Sequence, residues 1–312
     1  MSEGAAAAQT TERLRSQGDW STGVSSNRGG NLQRAWRRFK RNHVAVISLA
    51  VLFAIIIFSL SAGLISTYVT GYDYEENHLD LARSHPGQNG YILGSDANGR
   101  DVLTRLAYGG RVSLIFATMA ALVTLLIGSI VGLVAGFAGR WTDSILMRFA
   151  DVLLSIPSIS ILVLVSSIYR PGYFTLALVF SLLLWPGVSR IVRGETIALR
   201  NQPFIDAARV SGASNKRLVG RHILPNVLPI MLIWASQVIP AFIITEAALS
   251  FLGLGVQPPR PSWGNMLLEA QNYYMTNPSN VFLPGLMIFL TALSINLIGN
   301  GLRDALDPRM ER

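Results

Sequence analysis

The sequence predicts an all-α integral membrane protein with six transmembrane helices and both termini in the cytoplasm. Three observations carry this. Half of the 312 residues are hydrophobic and only 14% are charged, with a mean hydropathy of +0.40, too apolar for an ordinary soluble domain. Six long apolar runs punctuate the chain, and the basic residues divide unequally between the segments that join them.

A bilayer core takes about 20 apolar residues per helix. Residues 44–65, 112–138, 152–168, 174–188 and 281–302 carry no charge, and residues 227–254 carry only Glu246. The first run is 22 residues long, more than the roughly 7–15 of a signal-peptide core, and so reads as a span. Six spans return the chain to the side on which it began. Cytoplasmic loops carry the positive excess. With the N-terminus inside, Lys and Arg number 8 in residues 1–43, 2 in 139–148, 7 in 190–222 and 3 in 303–312, together 20 of 26. The outer segments hold Arg83, Arg100, Arg105, Arg111, Arg170 and Arg260. The net charge of +8 is thus mostly a topological signal and calls for no nucleic acid.

The organisation that follows is a cytoplasmic tail over 1–43, a membrane domain over 44–302 and a second cytoplasmic tail over 303–312. Residues 1–30, rich in Ala, Ser, Gly and Gln, have the composition of a segment without a packed core. Beyond them, Leu32, Ala35, Trp36 and Phe39 recur at helical spacing among Arg34, Arg37, Arg38, Lys40 and Arg41. That pattern suits a helix lying in the inner interface against membrane lipid; a solvated basic flank is the alternative. Two outer excursions are expected. Residues 70–110 hold six acids, and residues 255–279 begin with Pro258, Pro259 and Pro261, which favour an extended path.

In the second run, Ala120, Thr124, Gly128, Gly132 and Gly136 are small and spaced by four, so they share one helix face. Lipid supplies no hydrophobic drive for helix association, and small residues that admit close backbone contact carry such interfaces. This face is read as a helix–helix seam.

Catalytic chemistry is missing from the sequence. Neither Lys40 nor Lys216 follows a glycine, so no phosphate-cradling loop of the G-x-x-x-x-G-K-[ST] kind exists. The four histidines are scattered, no H-E-x-x-H or G-x-S-x-G occurs, and there is no cysteine. No catalytic residue, no metal ligand and no cofactor are assigned to this chain. Asp96, Asn98 and Asp101 have some of a calcium loop's spacing, but Arg100 stands where an oxygen ligand belongs. Asx turns explain the segment better. Asp151, three residues after Arg148, is read as a local ion pair. Glu246 lies about 28 Å along its helix from Val227, toward the outer end. It is read as structural or lining a gate or pathway, paired with an Arg or Asn.

The polar, basic segment between the fourth and fifth runs is the most informative. Within the loop 193–225, Pro203 can open a short helix, Asp206 favours its positive end and Gly212 can end it. Ser214 can cap a second helix bearing Lys216, Arg217 and Arg221, which Pro225 keeps from continuing through as regular helix. Ala207 and Ala208 leave a slim knob that fits a partner's groove, and Gly212 sets a bend. Residues 204–229, FIDAARVSGASNKRLVGRHILPNVLP, resemble the "EAA" loop by which ABC-importer permeases dock on their ATPases, with Asp206, Ala207, Ala208, Gly212, Leu224 and Pro225 on its pattern.

Five further segments extend the resemblance: AWRRFKRNHVAVI at 35–47, LGSDANGRDVLTRLAYGGRVSL at 93–114, DSILMRFADVLLSIP at 143–157, SFLGLGVQPPRPSWGNM at 250–266 and GNGLRDALDP at 299–308. Together, in this order, they resemble the C-type permease subunit of the dipeptide/oligopeptide/nickel ABC-importer family. Asp206 replaces the loop's usual Glu, Asn300 a frequent Asp, Ser95 a usual Thr, and His222 an aliphatic residue of the broader superfamily. The resemblance implies a type I ABC-importer permease fold and a heterodimer with a homologous permease subunit. It also implies two cytoplasmic ATPase subunits that bind the ATP and magnesium, an extracytoplasmic substrate-binding protein, and a peptide or nickel cargo. A proton-coupled secondary transporter is the competing expectation, and would need midplane ionisable residues and inverted repeats.

Overall fold

The computed structural model describes residues 28–169 and 171–306. The expectations for residues 1–27, for Arg170 and for the end of the last motif and tail, 307–312, fall outside them. Helix α1 (Arg28–Arg41) precedes α2 (His43–Leu60), which starts where Asn42 Oδ1 accepts from the Ala45 amide at 3.1 Å. A widened π turn, Ile65–Thr70, ends at Gly71 with φ 73°. Helix α3 (Val102–Ala138) runs for 37 residues, about 55 Å at 1.5 Å per residue. Then come α4 (Arg140–Ser155), α5 (Ser158–Tyr169), α6 (Tyr173–Arg200) and the short α7 (Pro203–Val210). Helices α8 (Leu224–Phe251), α9 (Trp263–Ala270) and α10 (Ser279–Leu306) complete the chain. Among the described residues the sole β pairing is an isolated bridge between Ser95 and Asp101.

Among the described residues five helices are long and apolar enough to cross a bilayer, and α4 with α5, bent by 71° at their break, makes a sixth when the pair is counted as one span. The third span, expected over 152–168, falls within this bent pair, which begins earlier, at Arg140. Pro157 excludes its predecessor from helical geometry, and Ile156 is extended at φ −100°, ψ 128°. The outer excursions are also more helical than expected. Helix α3 begins at Val102, inside 70–110, because Asp101 Oδ2 caps it from the Thr104 amide at 2.7 Å. Helix α9 lies inside 255–279, opened by a reciprocal capping box between Ser262 and Asn265.

The most extensive helix pair is α3 with α6. A methyl group on Gly128 would sit 2.7 Å from Val188 Cβ, on Gly132 2.6 Å from the Ser189 carbonyl oxygen, and on Gly136 2.7 Å from Thr196 Cβ. Each glycine therefore admits α6 closer than any side chain allows. Ser181 Oγ donates to the Ala120 carbonyl across the same pair at 3.0 Å. Toward the outer half, Phe116, Phe180 and Phe242 stack edge to face, centroids 5.0 and 5.8 Å apart, binding α3, α6 and α8 together.

Candidate functional site: an inner docking segment and an outer cap

The inner segment is built on a local sequence device. In α7, Pro203 occupies the first turn and Asp206 follows it. At the far end the Gly212 amide donates to Arg209 O and the Ala213 amide to Ala208 O, both at 3.0 Å. Gly212 sits at φ 82°, so this is a Schellman ending, which a residue with Cβ would strain. Ser214 Oγ accepts from the Arg217 amide at 3.4 Å and opens the next helical piece. Ahead of Pro225 that piece departs from regular α-helix, as its proline implies. A π turn, Leu218–Ile223, absorbs the proline's missing amide, and one helix runs through from Asn215 to Phe251.

Burial divides α7 sharply. Ile205 is 0% exposed and packs with Leu218, Ile223, Val227, Val188 and Val192, a cluster shared by α6 and α8. On the other side Phe204, Asp206, Ala207, Arg209 and Val210 are exposed, Val210 at 89%. Ala208, Leu224 and Pro225 are half-buried. Asp206 pairs with Arg209 at 2.9 Å in solvent, a contact of little energetic weight. Nearby, Arg193 of α6 holds Asp143 of α4 through two bonds, Nε to Oδ1 at 2.5 Å and a terminal nitrogen to Oδ2 at 2.6 Å. Asp151 is held by Arg190 of α6 at 2.5 Å rather than by Arg148. A partner 39 residues away was closer in space than one three residues away along the helix.

The outer excursions fold onto each other as one cap. Arg100 bonds Asp96 Oδ2 and Glu269 Oε2, both at 2.7 Å, and Arg105 reaches Glu269 Oε2 at 2.9 Å and Asp96 Oδ2 at 3.4 Å. Arg105 is 1% exposed, so these charges are compensated within the protein rather than by water. Asp96 Oδ1 also accepts from the amides of Asn98 and Arg100. No group of three potential ligands that could hold a metal occurs among the described residues. Asn277 donates to Arg83 O at 2.8 Å, and Asn280 to Ser95 O at 2.9 Å. Tyr91 donates to Gly99 O at 2.7 Å, and burial pushes its phenol up to about 12, so the donor persists through neutral pH. The cluster is not legible in the sequence, because Glu269 lies 164 residues from Arg105 and 169 from Arg100. Its one local signal was the four-residue spacing of Asp96 and Arg100.

Glu246 lies beneath the cap, 1% exposed. It accepts from Ser250 Oγ at 2.6 Å and Ser113 Oγ at 3.3 Å. The Arg or Asn expected as its partner is replaced by serines of α8 and α3. These hydroxyls donate hydrogen bonds to the carboxyl oxygens but bring no charge, and the sequence does not show which helix supplies them.

The chain matches known family models. Residues 128–312 match the family described as binding-protein-dependent transport system inner membrane component, and residues 30–86 match the N-terminal TM domain of oligopeptide transport permease C. The chain belongs to this family of ABC-importer permeases, multi-pass, non-catalytic subunits of the inner membrane. It is 38% identical to the oligopeptide transport system permease protein OppC of Haemophilus influenzae, over 89% of this chain and 88% of that protein. It is 40% identical to the glutathione transport system permease protein GsiD of Pectobacterium atrosepticum, over 88% and 90%. The dipeptide transport system permease protein DppC of Alkalihalophilus pseudofirmus is 36% identical, over 89% and 90%. A solved chain of the inward-facing MetNI methionine ABC transporter superposes with a TM-score of 0.52 at 20% identity, over 64% of this chain and 95% of that one. At that identity the likeness establishes the fold, a type I importer permease. Nickel as cargo and proton coupling draw no support from these relatives.

Proposed function

We propose that this chain is one permease subunit of an ATP-driven importer of peptides. It pairs with a homologous permease subunit, two cytoplasmic ATPase subunits and an extracytoplasmic peptide-binding protein. The observation that carries this reading is α7: a short helix with Phe204, Ala207 and Val210 exposed on one side and Ile205 buried among α6 and α8 on the other. A partner that grips the exposed side moves the membrane helices through the buried one. Peptide cargo follows from the names of the oligopeptide, dipeptide and glutathione relatives.

In the mechanism, closure of the ATPases on ATP displaces α7 and the continuous helix Asn215–Phe251. The two permease halves rock, and a cavity between them turns outward to receive peptide from the binding protein. Hydrolysis resets the pair. This chain binds no nucleotide; ATP and magnesium reside on the partners. The docking residues are Asp206, Ala207, Ala208 and Gly212, with Leu224 and Pro225 at the hinge where the segment enters the membrane. Gly128, Gly132 and Gly136 keep α3 and α6 as one body during the rocking. The basic helix α1 lies on inner-leaflet lipid.

The test is reconstitution. Proteoliposomes holding all four membrane-complex chains, supplied with ATP and loaded binding protein, should accumulate peptide, and this chain alone should not. Robust uptake by this chain alone on a proton gradient would overturn the reading.

A further inference from the structure

We infer that Glu246 is a positioning residue that couples the docking side of the permease to its outer cap. The inference rests on the transport function proposed above. One helix, Asn215–Phe251, spans the molecule from the docking segment to the cap, and Glu246 sits near its outer end. The carboxylate gathers Ser250 of α8 and Ser113 of α3. Both serines hold the start of α9 in turn. The Trp263 amide donates to Ser113 Oγ at 3.3 Å, and Ser262 Oγ bonds Ser250 Oγ at 3.4 Å. Ser250 Oγ also accepts from the Val256 amide at 3.0 Å, fixing the connection from α8 to α9.

Packing reinforces the node. A methyl group on Gly264 would lie 2.6 Å from Ala247 Cα and 2.7 Å from Ser250 Cβ, so α9 rests directly on the turn of α8 that carries Glu246. The Trp263 ring, 0% exposed, wedges beside Gly110 and donates from Nε1 to Leu106 O at 3.0 Å. At the other end of the same short helix, Glu269 bonds Arg100 and Arg105. Helix α9 is thus a bar fastened at one end to the long helix through Glu246 and at the other to the charged cluster of residues 93–105. A carboxylate suits the first fastening because it accepts several hydroxyls at once, and a buried, fully bonded node transmits displacement that a loose apolar contact would absorb. Movement of α8 then reaches the surface that meets the binding protein, and linkage makes the signal run both ways.

The experiment uses the complete complex in nanodiscs and reads the ratio of ATPase rate with loaded binding protein to that without it. Glu246→Leu should lower this ratio by about tenfold, within the usual range of coupling between sites. Glu246→Gln, which keeps one acceptor oxygen, should restore at least half of it. Ser113→Ala and Ser262→Ala are gentler cuts at the same node and should each lower the ratio, with little further loss when combined with Glu246→Leu. A role confined to folding would lower melting temperature and ATPase rate together in Glu246→Leu and leave the ratio intact, which overturns the inference. An unchanged ratio in Ser113→Ala and Ser262→Ala also overturns it. Failure of the unsubstituted chain to assemble with ATPases would contradict the transport function itself, whereas a normal unsubstituted complex with unchanged variant ratios contradicts only the role given to Glu246.

Discussion

The α7 segment and the outer cap sit at opposite ends of one long helix and are held by opposite kinds of force. Beneath α7 the grip is apolar: Ile205, Leu218, Ile223 and Val227 against Val188 and Val192. Such contacts are non-directional, so the knob can tilt without breaking a particular bond. In the cap the grip is directional, with Arg100 and Arg105 shared between Asp96 and Glu269 and the Asn265 capping box beside them. On the proposed function, one end is pushed by the ATPase and the other keeps its shape. A transmission element needs both, because a yielding cap would dissipate what a yielding knob admits.

Breaking the cap should cost most. Arg105→Leu leaves Asp96 and Glu269 to a single guanidinium in a buried site, and should destabilise the protein by about 3–5 kcal/mol, read as thermal unfolding in detergent. An unfolding temperature equal to that of the parent would show that the cluster is not what fixes the cap. Ile205→Ala should cost roughly 2–4 kcal/mol, and because the lost contacts lie under α7, it should also weaken the response of uptake to ATP. Gly212→Val forces a β-branched residue to φ 82°, about 1–2 kcal/mol. The variant should insert normally yet recover less ATPase on co-purification; wild-type recovery would remove Gly212 from the docking device. Asp206→Asn should be the mildest, within about 0.5 kcal/mol because its ion pair is solvent-exposed. Any loss of ATPase binding in that variant would then report docking itself.

Much of this was legible in the sequence for physical reasons. Charge-free runs reveal spans because the bilayer core excludes charge, and Gly128, Gly132 and Gly136 fall on one face by helical spacing alone. Gly212 at the end of α7 follows from local backbone sterics. Contacts between distant segments were not legible. Nothing near Glu246 in the chain pointed to Ser113, 133 residues away, and Asp151 has a nearer basic neighbour in sequence than Arg190, its partner in space. The bend at Pro157 was hidden by the apolar residues around it, since hydropathy sees composition and not backbone angles. Helix α3 starts at Val102, where Asp101 caps it, and the Arg105 of its first turns is paired with Glu269, a partner 164 residues on that the local sequence does not show.

The docking role of α7 can be tested by its contacts. The chain contains no cysteine, so Ala207→Cys provides a unique thiol on the exposed side of α7, and Gln88→Cys one on the exposed surface of the cap. Each would be modified with a benzophenone maleimide and illuminated in the assembled complex. Ala207→Cys should form an adduct with the ATPase, in a yield that changes with bound nucleotide, and Gln88→Cys should form none. An ATPase adduct from Gln88→Cys and not from Ala207→Cys would contradict both the orientation and the docking role.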